Sequence, residues 1–178
     1  MLQCARGLEY LRRENVVHQD LKTKNLLLFN KYQILKICDF GFVMGIDESN
    51  LRSIESLFYT APEIYIENNK FTEKSRVYSF GIILWEVMAR KKPFENFEGM
   101  EPLNIRMEII KGARPDVNYL IHEDYTILFN FIKEIIKRCW KESPVDRPTT
   151  IYLCEKFQDF VQYYMIFECK STKKCCLM

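Results

Sequence analysis

Four polar side chains with chemistry of their own fall close together in this sequence: Asp20, Lys22, Asn25 and Asp39. Asp20 can accept the proton of a hydroxyl group. Asn25 and Asp39 supply oxygen ligands that can hold magnesium against phosphates. They lie in two of three short segments that follow one another: His18-Gln19-Asp20-Leu21-Lys22-Thr23-Lys24-Asn25, then Asp39-Phe40-Gly41, then Ala61-Pro62-Glu63.

The segments need a scaffold, and the surrounding sequence describes one. Met1, Cys4, Ala5, Leu8 and Leu11 recur at helical spacing, so the first dozen residues read as an amphipathic helix that Asn15 can end. Residues 26–29 and 34–38 are short, partly β-branched apolar runs around Asn30-Lys31-Tyr32-Gln33, which predicts a hairpin carrying Asp39 at its exit. Residues 40–59 lack periodicity and read as a mobile loop. Thr72 is placed to cap a helix through Ala89 that is apolar nearly all round, the pattern of a buried axis. Pro102 opens a short helix that Gly112 closes. Two further helices follow, one carrying Tyr125 to Cys139 at helical spacing and one carrying Ile151 to Tyr164, with Pro144 and Pro148 in the turn between them. Trp140 reads as core packing.

At 178 residues the chain fits one domain with a substantial core. Hydrophobic residues at 48% and aromatics at 14% exclude a disordered chain. The net charge is +2 with lysines and arginines scattered, so nucleic acid is a poor candidate partner. Residues 1–15 mix charges among apolar positions, so no signal peptide is expected, and the most apolar run, 80–89, is too short to span a membrane and holds Glu86. The seven cysteines are an odd number, and His18 and His122 stand far from any C-x-x-C pair. Neither a disulfide framework nor a zinc site follows, and reduced thiols in the cytoplasm are expected.

The three motif segments, with Leu35-Lys36-Ile37-Cys38, Phe80-Gly81-Ile82-Ile83-Leu84-Trp85-Glu86-Val87, Lys91-Lys92-Pro93-Phe94 and Arg138-Cys139-Trp140 through Asp146-Arg147-Pro148-Thr149, resemble a protein kinase. The branch they resemble is the tyrosine-kinase-like group of serine/threonine kinases, and within it the TGF-β-activated type of mitogen-activated protein kinase kinase kinase. The resemblance covers residues 1–164 and matches the C-terminal lobe; residues 165–178 read as a tail. It implies an α+β, mainly α fold with a small hairpin at the catalytic loop. It also implies transfer of the ATP γ-phosphate to a protein serine or threonine, with magnesium. Asp20 takes the place of the catalytic base and Lys22 that of a lysine near the transferring phosphate. Asn25 and Asp39 take the places of the magnesium ligands. Glu63 and Arg147 correspond to an internal ion pair with a structural role. Ser56 stands where a hydroxyl supports Asp20 and Lys22, and Ser53 and Ser56 are candidate phosphorylation sites.

Departures from the family pattern carry expectations of their own. Gln19 replaces an arginine that would pair with a phosphorylated activation segment. Arg76 replaces an aspartate that accepts hydrogen bonds from the loop around His18, and arginine has no acceptor. It is expected either to sit beside the core beneath orphaned donors or to snorkel outward, in both cases loosening the loop. Glu55 replaces a small glycine. The family's glycine-rich loop, V-A-I-K lysine and partner glutamate belong to the N-terminal lobe and are absent from these residues. ATP and magnesium need that lobe for normal binding, so these residues alone are expected to turn over little. The terminal Cys175-Cys176-Leu177-Met178 fits a prenylation signal at Cys175, with Lys173 and Lys174 upstream, and would add membrane association. The expected partners are a protein substrate or a member of a kinase cascade. The alternative is an inactive, pseudokinase-like interaction module that competes for those partners.

Overall fold

The computed structural model describes residues 1–40, 53–66 and 71–175. Helix α1 (Leu2–Arg13) turns Cys4, Ala5, Leu8 and Leu11 inward. Asn15 ends it in the left-handed region at φ 53°, where the Val16 N–H donates to the Leu11 carbonyl at 2.9 Å. Strands β1 (Leu26–Phe29) and β2 (Ile34–Ile37) form the antiparallel hairpin, Leu26 facing Ile37 and Phe29 facing Ile34. The hairpin rests on α1. A Cβ added to Gly7 would come within 2.9 Å of the Ile37 side chain, so the glycine sets how closely strand and helix approach.

Two one-turn helices follow, α2 (Ile54–Leu57) and α3 (Glu63–Ile66). The first corrects the expectation of a loop over 40–59. Ser53 caps α2 by accepting the Ser56 N–H, and four residues are too few for any periodicity to show. The remainder of that stretch, residues 41–52 with Gly41, lies outside the described residues.

Helix α4 (Glu73–Ala89) is the axis of the domain, as its all-round apolar character requires. Its start is a reciprocal box in which the Ser75 N–H donates to Thr72 Oγ1 and the Thr72 N–H donates to Ser75 Oγ. Val77, Tyr78, Phe80, Ile82, Ile83 and Leu84 are completely buried, each side chain contributing about 1.5–3 kcal/mol relative to exposure. Helix α5 (Pro102–Ile110) starts at its proline and is closed by Gly112 at φ 99°. Helix α6 (Thr126–Cys139) packs on α4, where a Cβ on Gly81 would lie 2.7 Å from Cys139 Cβ. Helix α7 (Thr150–Cys175) packs on α1. It runs past Tyr164, and no proline or glycine interrupts it. Trp140 is buried, and no helix among the described residues is long and apolar enough to cross a membrane. The fold is mainly α, with one two-stranded sheet among the described residues.

Candidate active site

Residues 16–22 carry neither helix nor strand, so bonds from side chains place them. His18 is 2% exposed and works in two directions: Nε2 donates to the Cys38 carbonyl at 2.9 Å, and Nδ1 accepts the Asp20 N–H at 3.3 Å. Both bonds together require the tautomer with its proton on Nε2. Asn25 Nδ2 donates to the Asp20 carbonyl at 2.7 Å, and the Asn25 carbonyl accepts the Cys38 N–H at 2.9 Å. The loop and the exit of β2 are thereby joined, and Asp39 follows directly, exposed and held at φ 64°. A non-glycine residue in that region stores about 1–2 kcal/mol of strain.

The Asp20 carboxylate pairs with Lys22 Nζ at 2.6 Å, and Lys22 Nζ also donates to Ser56 Oγ at 2.9 Å. Both charged side chains are largely shielded from solvent. Ser56 Oγ lies 2.9 Å from Ser53 Oγ. Ser56 is buried and Ser53 is exposed.

Asn25 and Asp39, the expected magnesium ligands, both carry oxygen acceptors. With Nδ2 of Asn25 committed to a carbonyl, its Oδ1 is the atom left to face a cation, and the Asp39 carboxylate is exposed. Among the described residues there is no cluster of three or more His, Cys, Asp or Glu side chains able to cage a metal. Two oxygen donors fit an ion that arrives with phosphates and keeps water in its remaining positions.

Two features near the site carry no signal in the motifs. Lys24 Nζ pairs with Glu55 at 2.6 Å on the surface, clasping the loop to α2. Glu86, the single carboxylate in the apolar run of α4, accepts from the Tyr59 hydroxyl at 2.6 Å and from Thr23 Oγ1. Burial first, and then Glu86, push the Tyr59 hydroxyl well above its ordinary pKa, so it remains a donor. An isolated Glu in the apolar run 80–89 was the available hint.

Away from the loop, Glu63 and Arg147 form a bidentate pair at 2.7 and 2.8 Å, and the Arg147 side chain is fully buried. Arg76 is the second buried arginine, 5% exposed, and it does not snorkel outward. Its Nη1 donates to the Val16 carbonyl at 2.6 Å, while its Nε is buried with no partner among the described residues. Behind it, Glu73 accepts from the Thr150 N–H at 2.8 Å and hydroxyl at 2.9 Å. Thr150 Oγ1 also meets Glu9 at 2.6 Å, and Glu9 takes further bonds from Arg12 and Arg13. The bond from Arg12 above all holds the Glu9 pKa down at about 2. Of the prenylation signal, residues 176–178 lie outside the described residues, and Cys175 is the last residue of α7.

A family model described as protein tyrosine and serine/threonine kinase matches residues 1–157. Mitogen-activated protein kinase kinase kinase 7 of Drosophila melanogaster is 37% identical over 165 residues, which cover 91% of this chain and 23% of that protein. The protein of the same name from Homo sapiens is 33% identical over 166 residues, covering 92% of this chain and 26% of that protein. The chain thus spans about a quarter of the length of the curated relatives it matches.

Proposed function

The chain belongs to the protein tyrosine and serine/threonine kinase family, and from that premise we propose that it serves phosphoryl transfer to protein serine or threonine in a mitogen-activated protein kinase cascade. The observation that carries this is Lys22, which touches the Asp20 carboxylate and Ser56 at once. Asp20 accepts the proton of the substrate hydroxyl at its carboxylate. Lys22 holds that carboxylate in place and puts a positive charge where a phosphate would develop negative charge. Asn25 fixes the main chain at Asp20 through Nδ2 and, with Asp39, presents oxygen to magnesium. ATP supplies the phosphoryl group when bound, with magnesium neutralising its charge.

The test is phosphate transfer by the full-length protein purified from cells, given magnesium, ATP and candidate protein substrates, beside Asp20→Asn. Transfer to serine or threonine that falls about 10²–10⁴-fold in the variant is expected. Equal transfer by both proteins, or transfer to tyrosine alone, contradicts the proposal.

Gln19 and Arg76 favour a second possibility, a non-catalytic module that binds cascade partners, since both remove bonds on which the family's catalytic loop relies. Absent transfer, together with stable capture of a cascade kinase by the full-length protein, would favour it.

A further inference from the structure

We propose that Arg76 is a positioning residue for the loop that carries Asp20, tethering it by donating where the family's aspartate accepts. Residues 14–22 contain no regular element, and hydrogen bonds made by side chains, among them those of Arg76, His18, Asn25 and Lys22, help to locate them. Three of these gather at the downstream end, through His18 and Asn25. At the upstream end the Val16 N–H is already held by the Leu11 carbonyl of α1, and the bond from Arg76 Nη1 fixes the Val16 carbonyl at 2.6 Å. Its donor comes from α4, the most deeply buried helix, so a rigid element sets where the loop begins.

The burial of Arg76 is itself informative. A guanidinium on a four-bond stem usually reaches water when nothing inside holds it, because removing it from water is costly. Here it stays 5% exposed with an unmatched Nε, so the contact with Val16 is made against a desolvation cost. Burial lowers its pKa first; Glu73, one turn earlier on α4, favours the charge and Arg12 opposes it. Glu73 is in turn fixed by Thr150 at the start of α7. The start of the catalytic loop is therefore tied to α4, by a bond of opposite polarity to the family's.

The activity arm of the test rests on the kinase proposal; the exchange arm does not. Amide hydrogen exchange and steady-state kinetics are measured on the full-length protein with Arg76→Met and Arg76→Lys. Methionine keeps the length and removes the donor, whereas lysine keeps a donor. In Arg76→Met the amides of residues 16–20 should exchange about 10–100-fold faster, the loss of one charge-assisted bond. In Arg76→Lys the same amides should remain within about threefold of wild type. Arg76→Met should lower kcat at least about tenfold at unchanged KM for ATP, and Arg76→Lys should restore most of it. Unchanged exchange across 16–20 in Arg76→Met overturns the proposal whatever the activity. So does a rise spread evenly over the chain, or faster local exchange with kcat unaffected. Wild-type protein without phosphotransfer would remove the kinase proposal and leave the exchange arm to decide this one.

Discussion

Arg147 and Arg76 are both buried in the helical core, and their surroundings could hardly differ more. Arg147 uses every N–H it has: Nε to the Lys141 carbonyl, Nη1 to Glu63 and the Lys74 carbonyl, Nη2 to Glu63 and the Glu142 carbonyl. Its guanidinium also lies over the Tyr78 ring, 5.2 Å from the centroid. Arg76 has one bond, to Val16, and a buried Nε without a partner among the described residues. Arg147 is over-determined and holds elements together. Arg76 is under-determined, and what it gains for the molecule is local, at the start of the catalytic loop. The general lesson is that burial of a charge says little about stability until its donors are counted.

The largest effect that would test this contrast is at Arg147. Arg147→Met leaves Glu63 unpaired and three carbonyls without their donor, and should cost about 3–5 kcal/mol in urea unfolding. A cost below about 1 kcal/mol would erase the difference between the two sites. A smaller effect sharpens the Arg76 side. Glu73→Gln should destabilise wild type more than it destabilises Arg76→Met, with a coupling of about 0.5–2 kcal/mol in a double-mutant cycle. Any change in the bonds that Thr150 donates to residue 73 occurs in both arms and cancels.

Acid reaches the same neighbourhood through Glu9. Its folded pKa of about 2 lies below the ordinary 4.5, so its stabilising contribution is complete above about pH 4.5 and is lost as pH falls toward 2. Between pH 6 and 3 the melting temperature of wild type should therefore drop more than that of Glu9→Gln, by a few degrees. Parallel pH curves would contradict that assignment. The smallest effect belongs to the exposed Lys24–Glu55 clasp, where Glu55→Gln should change stability by less than about 1 kcal/mol.

Much of this arrangement was legible in the residues themselves. Thr72 caps α4 as its type suggests, Asn15 stops α1, and Pro102 and Gly112 frame α5, because caps and breakers act locally. The motif spacing also led to the neighbourhood in which Asp20, Lys22 and Ser56 meet. What could not be read is long-range. The Thr150 bond to Glu9 joins residues 141 positions apart, and nothing in either segment announces the other. Arg76 shows the limit most clearly. Its type allowed both a buried and an outward side chain, and the outcome depends on the Val16 carbonyl lying within reach, a fact of packing between α4 and the loop. Helix α2 was hidden for the opposite reason, being too short to leave a pattern.

The most direct test is urea unfolding of Arg76→Met, measured beside Arg147→Met on the same protein. Arg76→Met removes a desolvated charge together with a single hydrogen bond, so the two changes offset each other. Its unfolding free energy should stay within about 1 kcal/mol of wild type, or exceed it, while Arg147→Met loses about 3–5 kcal/mol. A loss at Arg76 as large as the loss at Arg147 would show that both arginines hold the fold in the same way, and would contradict the division of roles described above.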